Sequence, residues 1–343
     1  MTSFQIDTNK LFSYIDQFNS VKISVLGDII LDEYTWGTVD RVSPEAPIVV
    51  VNVKEENVKL GGAANVAHNM RKLGAEVHLF GVVGNDDAGN QVSSLLEGIG
   101  ISDQGLVRDS SRPTTRKTRI IAHSQQVVRV DRENDDPIDS LVEQSLYKKF
   151  SELCPKVNSI VISDYKKGVV TSALPEVLVS LRSKGVTGMN KIPVIVDPKG
   201  TNYDCYQGAS CVKPNKKEAT QVSGIKIKTP DDAIRSANQI KEKNDFECVM
   251  VTLGEMGLVL VQNDTGSFKL DTIAQEVFDV SGAGDTVSAV FALCLSVGAS
   301  PVEASVIANC AAARVIREVG TAAVEPDELK EVLSFWNTHQ PFN

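Results

Sequence analysis

Asp285 follows Gly282, Ala283 and Gly284 where an apolar segment, Val287 to Val297, takes on helical spacing that stops at Gly298. The two glycines free the backbone for a tight turn, so several N–H groups of the first helical turn face one point. Converging amides and the positive end of the helix dipole attract an anion and hold a phosphoryl group as charge builds on it. In the same turn the dipole keeps the Asp285 carboxylate ionised, ready to accept a proton. An anion hole and a base in one turn are the equipment of phosphoryl transfer. The plainer reading is a glycine-rich helix start capped by an aspartate. Other phosphate motifs fit worse: there is no G-x-x-x-x-G-K-[ST], residues 282–287 lack the third glycine of a dinucleotide fingerprint, and the protein-kinase signature set is absent.

Further stretches supply partners. Leu60-Gly61-Gly62-Ala-Ala-Asn65 opens a helix with two glycines and sets Asn65 one turn in, where backbone and amide can approach a polyol. Asn215-Lys216-Lys217-Glu218 begins another helix. Its Asn and Glu lie on one face, suited either to holding a hydrated Mg²⁺ through its waters or to simple capping. Thr252-Leu-Gly254-Glu-Met-Gly257 breaks two strands with glycines, as a hairpin turn or a phosphate-approach loop does. Asp28 and Asp32 follow the buried strand Val21 to Leu26, and Asp28, Asp32 and Asn65 can bond sugar hydroxyls. Arg41, Lys117, Arg119, Arg129, Lys167 and Lys199 form a reservoir for a phosphate clamp, although any one of them suits a solvated surface equally well. Asp164 and Asp197, at strand carboxyl ends, either support such lysines or cap strands. The four histidines show no ligation pattern.

These residues need a sheet to place them. Strands at 76–83, 159–163, 193–196 and 248–253 alternate with helices at 63–73, 86–99, 138–153, 171–184 and 230–243, the pattern of a doubly wound, mainly parallel α/β sheet with helices on both faces. Two excursions interrupt it. Residues 33–60 contain strand-like pieces broken by Pro44 and Pro47, and 112–132 read as a hairpin with one wet face. Thr229-Pro230 and Ser300-Pro301-Val302-Glu303 mark later helix starts, and a last helix begins at Pro326. The 343 residues are 42% hydrophobic, ample for a sizeable core, and the net charge of −9 without a long basic run argues against a nucleic-acid partner. Six cysteines without C-x-x-C pairing read as reduced thiols. No signal-peptide core and no apolar stretch of membrane-spanning length is present. A cytoplasmic protein with no membrane partner is the expectation.

The stretch at 279–285 resembles the second signature of the ribokinase-like (PfkB) carbohydrate kinases, D-T-G-A-G-D, with Val280 and Ser281 in the second and third places. The run Gly61 to Gly84 resembles the first signature, and the N-x-x-E at Asn215 and the T-x-G-x-x-G at Thr252 follow in the family's order. The resemblance covers nearly the whole chain and implies a single ribokinase-like domain, residues 1–343, with a small β lid from about 33–60 and 112–132. It implies ATP and Mg²⁺, with Asp285 as base and the amides of Ala283, Gly284 and Asp285 on the phosphoryl group. Asn215, Lys216, Lys217, Glu218, Thr252, Gly254, Gly257 and Asn309 would bind ATP. It leaves open a monovalent cation near Val319 to Val324, and it implies a homodimer through the lid.

Five runs carry a narrower resemblance: 27–32, Arg41-Val-Ser-Pro-Glu45-Ala-Pro47, 125–131, 163–168 and 197–201. Together they are similar to the kinase half of the bifunctional heptose 7-phosphate kinase/heptose 1-phosphate adenylyltransferases of lipopolysaccharide-core synthesis. That adds Arg41 and Glu45 to the candidate substrate residues. It implies transfer of the ATP γ-phosphate to the anomeric hydroxyl of D-glycero-D-manno-heptose 7-phosphate, on a chain without the H-x-G-H-type nucleotidyltransferase motif. Another kinase of the family, acting on a hexose phosphate, pentose or nucleoside, stays open, as does a non-catalytic sugar- or nucleotide-binding regulator.

Overall fold

The computed structural model describes residues 7–123, 125–153, 157–183, 192–263, 266–273 and 277–339. Cys154 lies outside them, as does the end of the helix expected to reach Lys184. In chain order the elements are α1 (Thr8–Asp16), β1 (Lys22–Gly27), β2 (Ile29–Val42), β3 (Val49–Gly62), α2 (Ala63–Lys72), β4 (Glu76–Gly84), α3 (Asp87–Gly98), β5 (Leu106–Asp109), β6 (Thr115–Ala122), β7 (Gln125–Arg132), α4 (Ser140–Leu153) and β8 (Ser159–Ser163). There follow α5 (Leu174–Ser183), β9 (Val194–Asp197), β10 (Cys211–Val212), α6 (Lys216–Ser223), α7 (Pro230–Asn244), β11 (Cys248–Thr252), β12 (Leu258–Gln262), β13 (Gly266–Leu270), α8 (Ala283–Ser296), α9 (Pro301–Val315) and α10 (Pro326–His339).

The main sheet runs β13-β12-β11-β10-β9-β8-β1-β4-β5, parallel from β11 to β5 and antiparallel at β12 and β13. Its central strands β8, β9, β10 and β11 are buried along nearly their whole length because helices cover both faces. In β8, Val161 faces the layer of α1, α2, α8, α9 and α10, while Ile160 and Ile162 face the layer of α4 to α7. Helix α8 is buried nearly all round, which accounts for an apolar run without a polar stripe. Near the N-terminus, α1 buries Leu11, Tyr14 and Ile15.

The second sheet, ordered β3-β2-β6-β7, is larger than the broken pieces expected at 33–60. Strands β2 and β3, 14 residues each, form one long hairpin whose register shifts at Trp36/Gly37 and Val39/Arg41 absorb the irregularity, with the prolines confined to the tip. Strand β2 starts one residue after Asp28, and β3 runs directly into α2, so the hairpin rises from the carboxyl edge of the main sheet. Cys211, Cys248, Cys294 and Cys310 are buried free thiols and Cys205 is half-buried. Among the described residues no helix is long and apolar enough to cross a membrane.

Candidate active site

Because β1, β8, β9, β10 and β11 are parallel, their carboxyl ends open on one edge, where ligands of such sheets bind. They deliver Asp28, Asp164, Asp197, Lys213 and Thr252 to it, and α8 points its N-terminus at the same place. Gly282 caps α8 at φ 78°, a left-handed conformation that glycine adopts without strain, and a Cβ there would stand 2.8 Å from Asn65 Nδ2. The expected anion hole is narrower than the sequence suggests. The N–H of Ala283 is taken by the carbonyl of Val280 at 3.2 Å, which leaves those of Gly284 and Asp285 without a backbone partner among the described residues.

Asp285 is only 2% exposed. Its Oδ2 accepts from Asn65 Nδ2 and its Oδ1 from the hydroxyl of Tyr165, both at 2.7 Å. Burial, and next the charge of Asp197, push its pKa up to about 7; the bonds from Asn65 and Tyr165 and the charge of Lys213 act the other way. The group is therefore poised near neutral pH, as a general base should be. Asn65 is held in turn: Asn69 Nδ2 donates to its carbonyl at 2.9 Å, and Asn69 Oδ1 accepts from Thr286 Oγ1 at 2.9 Å. Tyr165 was not singled out from the sequence, although it follows directly on the strand-end Asp164.

Asp28 does not line the cleft as a sugar ligand. Its two oxygens accept the backbone N–H groups of Tyr165, Lys167 and Val169 at 2.7, 3.0 and 3.2 Å, so it moulds the loop that carries Tyr165. Asp164 accepts from Lys166 N and from the Tyr206 hydroxyl, both at 2.6 Å. Burial, then the neighbouring Asp28 charge, raise its pKa to about 7, and burial raises that of Asp28 too. Asp197 accepts from Lys213 Nζ at 3.0 Å and from Ser288 Oγ at 3.1 Å. Strand-end position was the signal for Lys213 as well, two residues before the helix start read at Asn215.

Asn215 and Glu218 form a complete capping box. Asn215 Oδ1 accepts from the amides of Lys217 and Glu218, and Glu218 Oε2 from the amide of Asn215 at 2.9 Å. Glu218 Oε1 also takes the Lys199 ammonium at 2.7 Å, so Lys199 is not part of a sugar-phosphate clamp here. Each carboxylate oxygen keeps one acceptor site, which suits contact with a hydrated Mg²⁺ through its waters and not direct ligation. Among the described residues no cluster of three His, Cys, Asp or Glu could hold a metal ion. The Thr252 loop lies against this box: Thr252 N donates to the Pro214 carbonyl, and a Cβ on Gly257 would meet the Leu270 carbonyl at 1.9 Å. Lys216 and Lys217 are exposed on α6, and Asn309, in α9, donates to the Asp271 carbonyl at 2.9 Å.

One face of the second sheet gathers Asp32, Tyr34, Lys117, Arg119, Arg129 and Asp131 across β2, β6 and β7. Gly61 lies beside it because a side chain there would strike the Asp32 carboxylate. The expected cations are together but already paired: Arg119 with Asp32, Lys117 with Asp131 and Glu133, Lys167 with Glu133 and Asp135, and Arg129 with Asp131. Arg41 and Glu45 are not brought to them. Arg41 is exposed on β2 nine residues beyond Asp32, about 30 Å at strand rise. In the loop proposed for a monovalent cation, the carbonyls of Val319 and Thr321 accept the Lys59 ammonium at 3.1 and 3.0 Å, so an internal cation already sits on those two oxygens. They do not fit a second one.

The profile of the pfkB family carbohydrate kinases matches residues 22–328. The chain belongs to that family. It is 41% identical to the bifunctional protein HldE of Desulfatibacillum aliphaticivorans over 329 residues, 96% of this chain and 66% of that one. Against HldE of Helicobacter hepaticus it is 42% identical over 315 residues, 92% and 64% of the two chains. It thus spans somewhat under two thirds of these relatives. The pfkB fold is the ribokinase-like one: ribokinase of Thermotoga maritima superposes with a TM-score of 0.71 over 92% of this chain and 99% of its own, at 23% identity. Phosphofructokinase-2 of Escherichia coli in complex with substrates and products gives 0.75 over 92% and 100%, at 20% identity. As in any pfkB kinase, ATP and a sugar are the small molecules such a cleft accommodates.

Proposed function

We propose that this protein transfers the γ-phosphate of ATP to the anomeric hydroxyl of D-glycero-D-manno-heptose 7-phosphate, giving the 1,7-bisphosphate for ADP-heptose and lipopolysaccharide-core synthesis in the cytoplasm. The observation that carries the kinase reading is Asp285: a buried carboxylate, held by Asn65 and Tyr165 and raised toward neutrality, beside the unbonded amides of Gly284 and Asp285. Kinship with the HldE relatives, and the five runs that resemble the bifunctional heptose enzymes, support heptose over other sugars.

Asp285 orients the acceptor hydroxyl and takes its proton as the oxygen reaches phosphorus, while the amides of Gly284 and Asp285 stabilise the equatorial oxygens. Asn65 keeps the carboxylate in register. Asn215 and Glu218 would hold Mg²⁺ through its waters, where the ion neutralises polyphosphate charge. Thr252, Gly254 and Gly257 shape the ATP side, with Lys216, Lys217 and Asn309 along it. The second sheet closes over the sugar as a lid within a single kinase domain. Asp32 and Asn65 meet hydroxyls, and Lys117, Arg119, Arg129 and Lys167 receive the 7-phosphate in exchange for their carboxylate partners. The lid pairs with that of a second copy through its outer face. A coupled ADP-release assay across heptose, hexose and pentose phosphates tests the reading: turnover confined to a hexose or pentose phosphate would replace heptose with that sugar, and no turnover with any of them would remove the kinase assignment.

A further inference from the structure

Lys213 is the first residue after β10, and it is 4% exposed. Lysine is rarely buried to this degree, and a buried ammonium is tolerated only where acceptors meet it. Of its three donors, one is used: Asp197 Oδ2 lies 3.0 Å away, and no other acceptor is bonded to it among the described residues. Its surroundings say where the other two can be used. The ammonium lies 3.4 Å from the position a Cβ would take on Gly284, and Asp197 Oδ2 lies 3.9 Å from that same position. Gly284 is thus the point where the open amides of α8, the underused Lys213 ammonium and the pair's carboxylate come together.

The glycine itself supports this arrangement. Gly284 has an ordinary helical conformation, so its lack of a side chain is not needed for the backbone. What it keeps open is the space over the first turn of α8, between two unbonded N–H groups and Lys213. A cation with spare donors beside an amide pair matches an anion with several oxygens, and it is ill suited to a neutral hydroxyl.

We infer that Lys213 is a catalytic residue that donates to the oxygens of the transferring phosphoryl group, completing the anion hole with the N–H groups of Gly284 and Asp285. The inference rests on the kinase reading above. In the step, the acceptor oxygen forms its bond to the γ-phosphorus, the bond from that phosphorus to the bridging oxygen breaks, and its electron pair leaves on ADP. The acceptor's proton goes to Asp285. Lys213 neither gains nor loses a proton; it balances charge on the equatorial oxygens as they swing through the plane. Asp197 anchors the ammonium and, with Ser288, keeps it from turning away.

A purely structural role makes a different prediction: Lys213 would serve only to neutralise Asp197 beside Asp285. Lys213→Met and the double variant Asp197→Asn/Lys213→Met separate the two. The single variant strands a half-buried carboxylate next to the base, so its melting temperature should fall and the acidic limb of its pH–rate profile should move upward. The double variant removes the stranded charge with little change of volume, and both properties should return toward wild type. On the inference, kcat falls by on the order of 10² to 10³ in the single variant and stays within a few-fold of that level in the double variant, with the KM for ATP changed far less. Recovery of kcat to near wild type in the double variant would overturn it, whether or not the single variant folds. Asp285→Asn, run alongside, distinguishes the failures: if that variant turns over normally, the kinase mechanism itself is wrong, whereas a dead Asp285→Asn with an active double variant removes only the role given to Lys213.

Discussion

Asn65 and Asp285 stand 220 positions apart in the chain, and the amide of one donates to the carboxylate of the other at 2.7 Å. Tyr165 takes the second oxygen, so the carboxylate is fixed in plane before any ligand arrives. Such a group is expensive to ionise in the folded state, and that gives a signature in stability as well as in rate.

Asp285→Asn should fold, bind ATP and lose on the order of 10² to 10⁴ in kcat, because an amide cannot take the proton. The Tyr165 hydroxyl can turn from donor to acceptor to meet the new amine. The folded pKa of about 7 lies above that of an ordinary aspartate, about 3.9, so stability associated with this carboxyl is present at acid pH and lost as pH rises toward 7. Asparagine has no such loss. The variant should be more stable than wild type at pH 8, by up to about 4 kcal/mol, and the gap should close near pH 4. A helix cap alone would give neither the rate loss nor this crossover.

The acidic limb of kcat/KM should fall near pH 7, tenfold per unit below it, since the base must be ionised. Tyr165→Phe removes a donor that favours the ionised form and should move that limb up by about one unit. Asp164 also has a pKa raised to about 7, but it is bonded to Lys166 N and Tyr206 and not to the reacting groups. Asp164→Asn should therefore leave the limb in place. A limb that follows Asp164 and ignores Tyr165 would mean that the profile reports the loop and not the base.

If the paired cations of the second sheet read a sugar phosphate, heptose 7-phosphate should exceed unphosphorylated heptose by 10² or more in kcat/KM, because an unmet cluster of half-buried charges disfavours the wrong ligand. Lys117→Ala and Arg119→Ala should raise KM for the phosphorylated sugar and affect the other much less. Equal kcat/KM for the two sugars would leave these residues as sheet ion pairs.

The main sheet was legible because its strands and helices carry strong periodicity, and Asp285 stood out as a candidate because glycines and a carboxylate at a helix start are a compact local pattern. Roles that depend on who sits opposite were not. Asp28 looks like any strand-end carboxylate until three amides from the 165–169 loop are seen to close on it. Arg41 shares a strand with Asp32, and only the unbroken length of β2 shows how far away it is. Lys199 appeared to be one of a set of free cations, yet Glu218 was its partner. Lys213 and Tyr165 were passed over because each is one residue from a position that already had a reading.

The face of the second sheet turned away from Lys117 and Arg119 exposes Val58, Val128 and Val130, and the hairpin tip adds Val42, Ile48 and Val49. Apolar strands left open to water are normally covered. Sedimentation should give twice the 37.0 kDa chain mass at micromolar concentration, and Val128→Glu/Val130→Glu should give the single chain. A wild-type monomer would rule out pairing through this face.

Lys59 occupies the Val319 and Thr321 carbonyls, so exchanging K⁺ for choline should change wild-type turnover by no more than about two-fold, a small fraction of what a full charge on two carbonyls can contribute. Lys59→Met should lower the melting temperature and make it respond to K⁺. A wild-type enzyme inactive without K⁺ would show that the ion binds at other oxygens.

The hairpin of the second sheet leaves the body at Asp28 and returns at Gly62, and these two points are tied by the Ala63 amide to the Asp28 carbonyl at 3.0 Å. Gly62, at φ 57°, ends β3 and caps the helix that carries Asn65. The sheet is therefore a crank on a short axle, with the hairpin tip at the long arm and Asn65, the partner of Asp285, at the short one. A movement of many ångströms at the tip would reach Asn65 as only a small rotation, so the contact between Asn65 and Asp285 is geared down from whatever the far end of the sheet does.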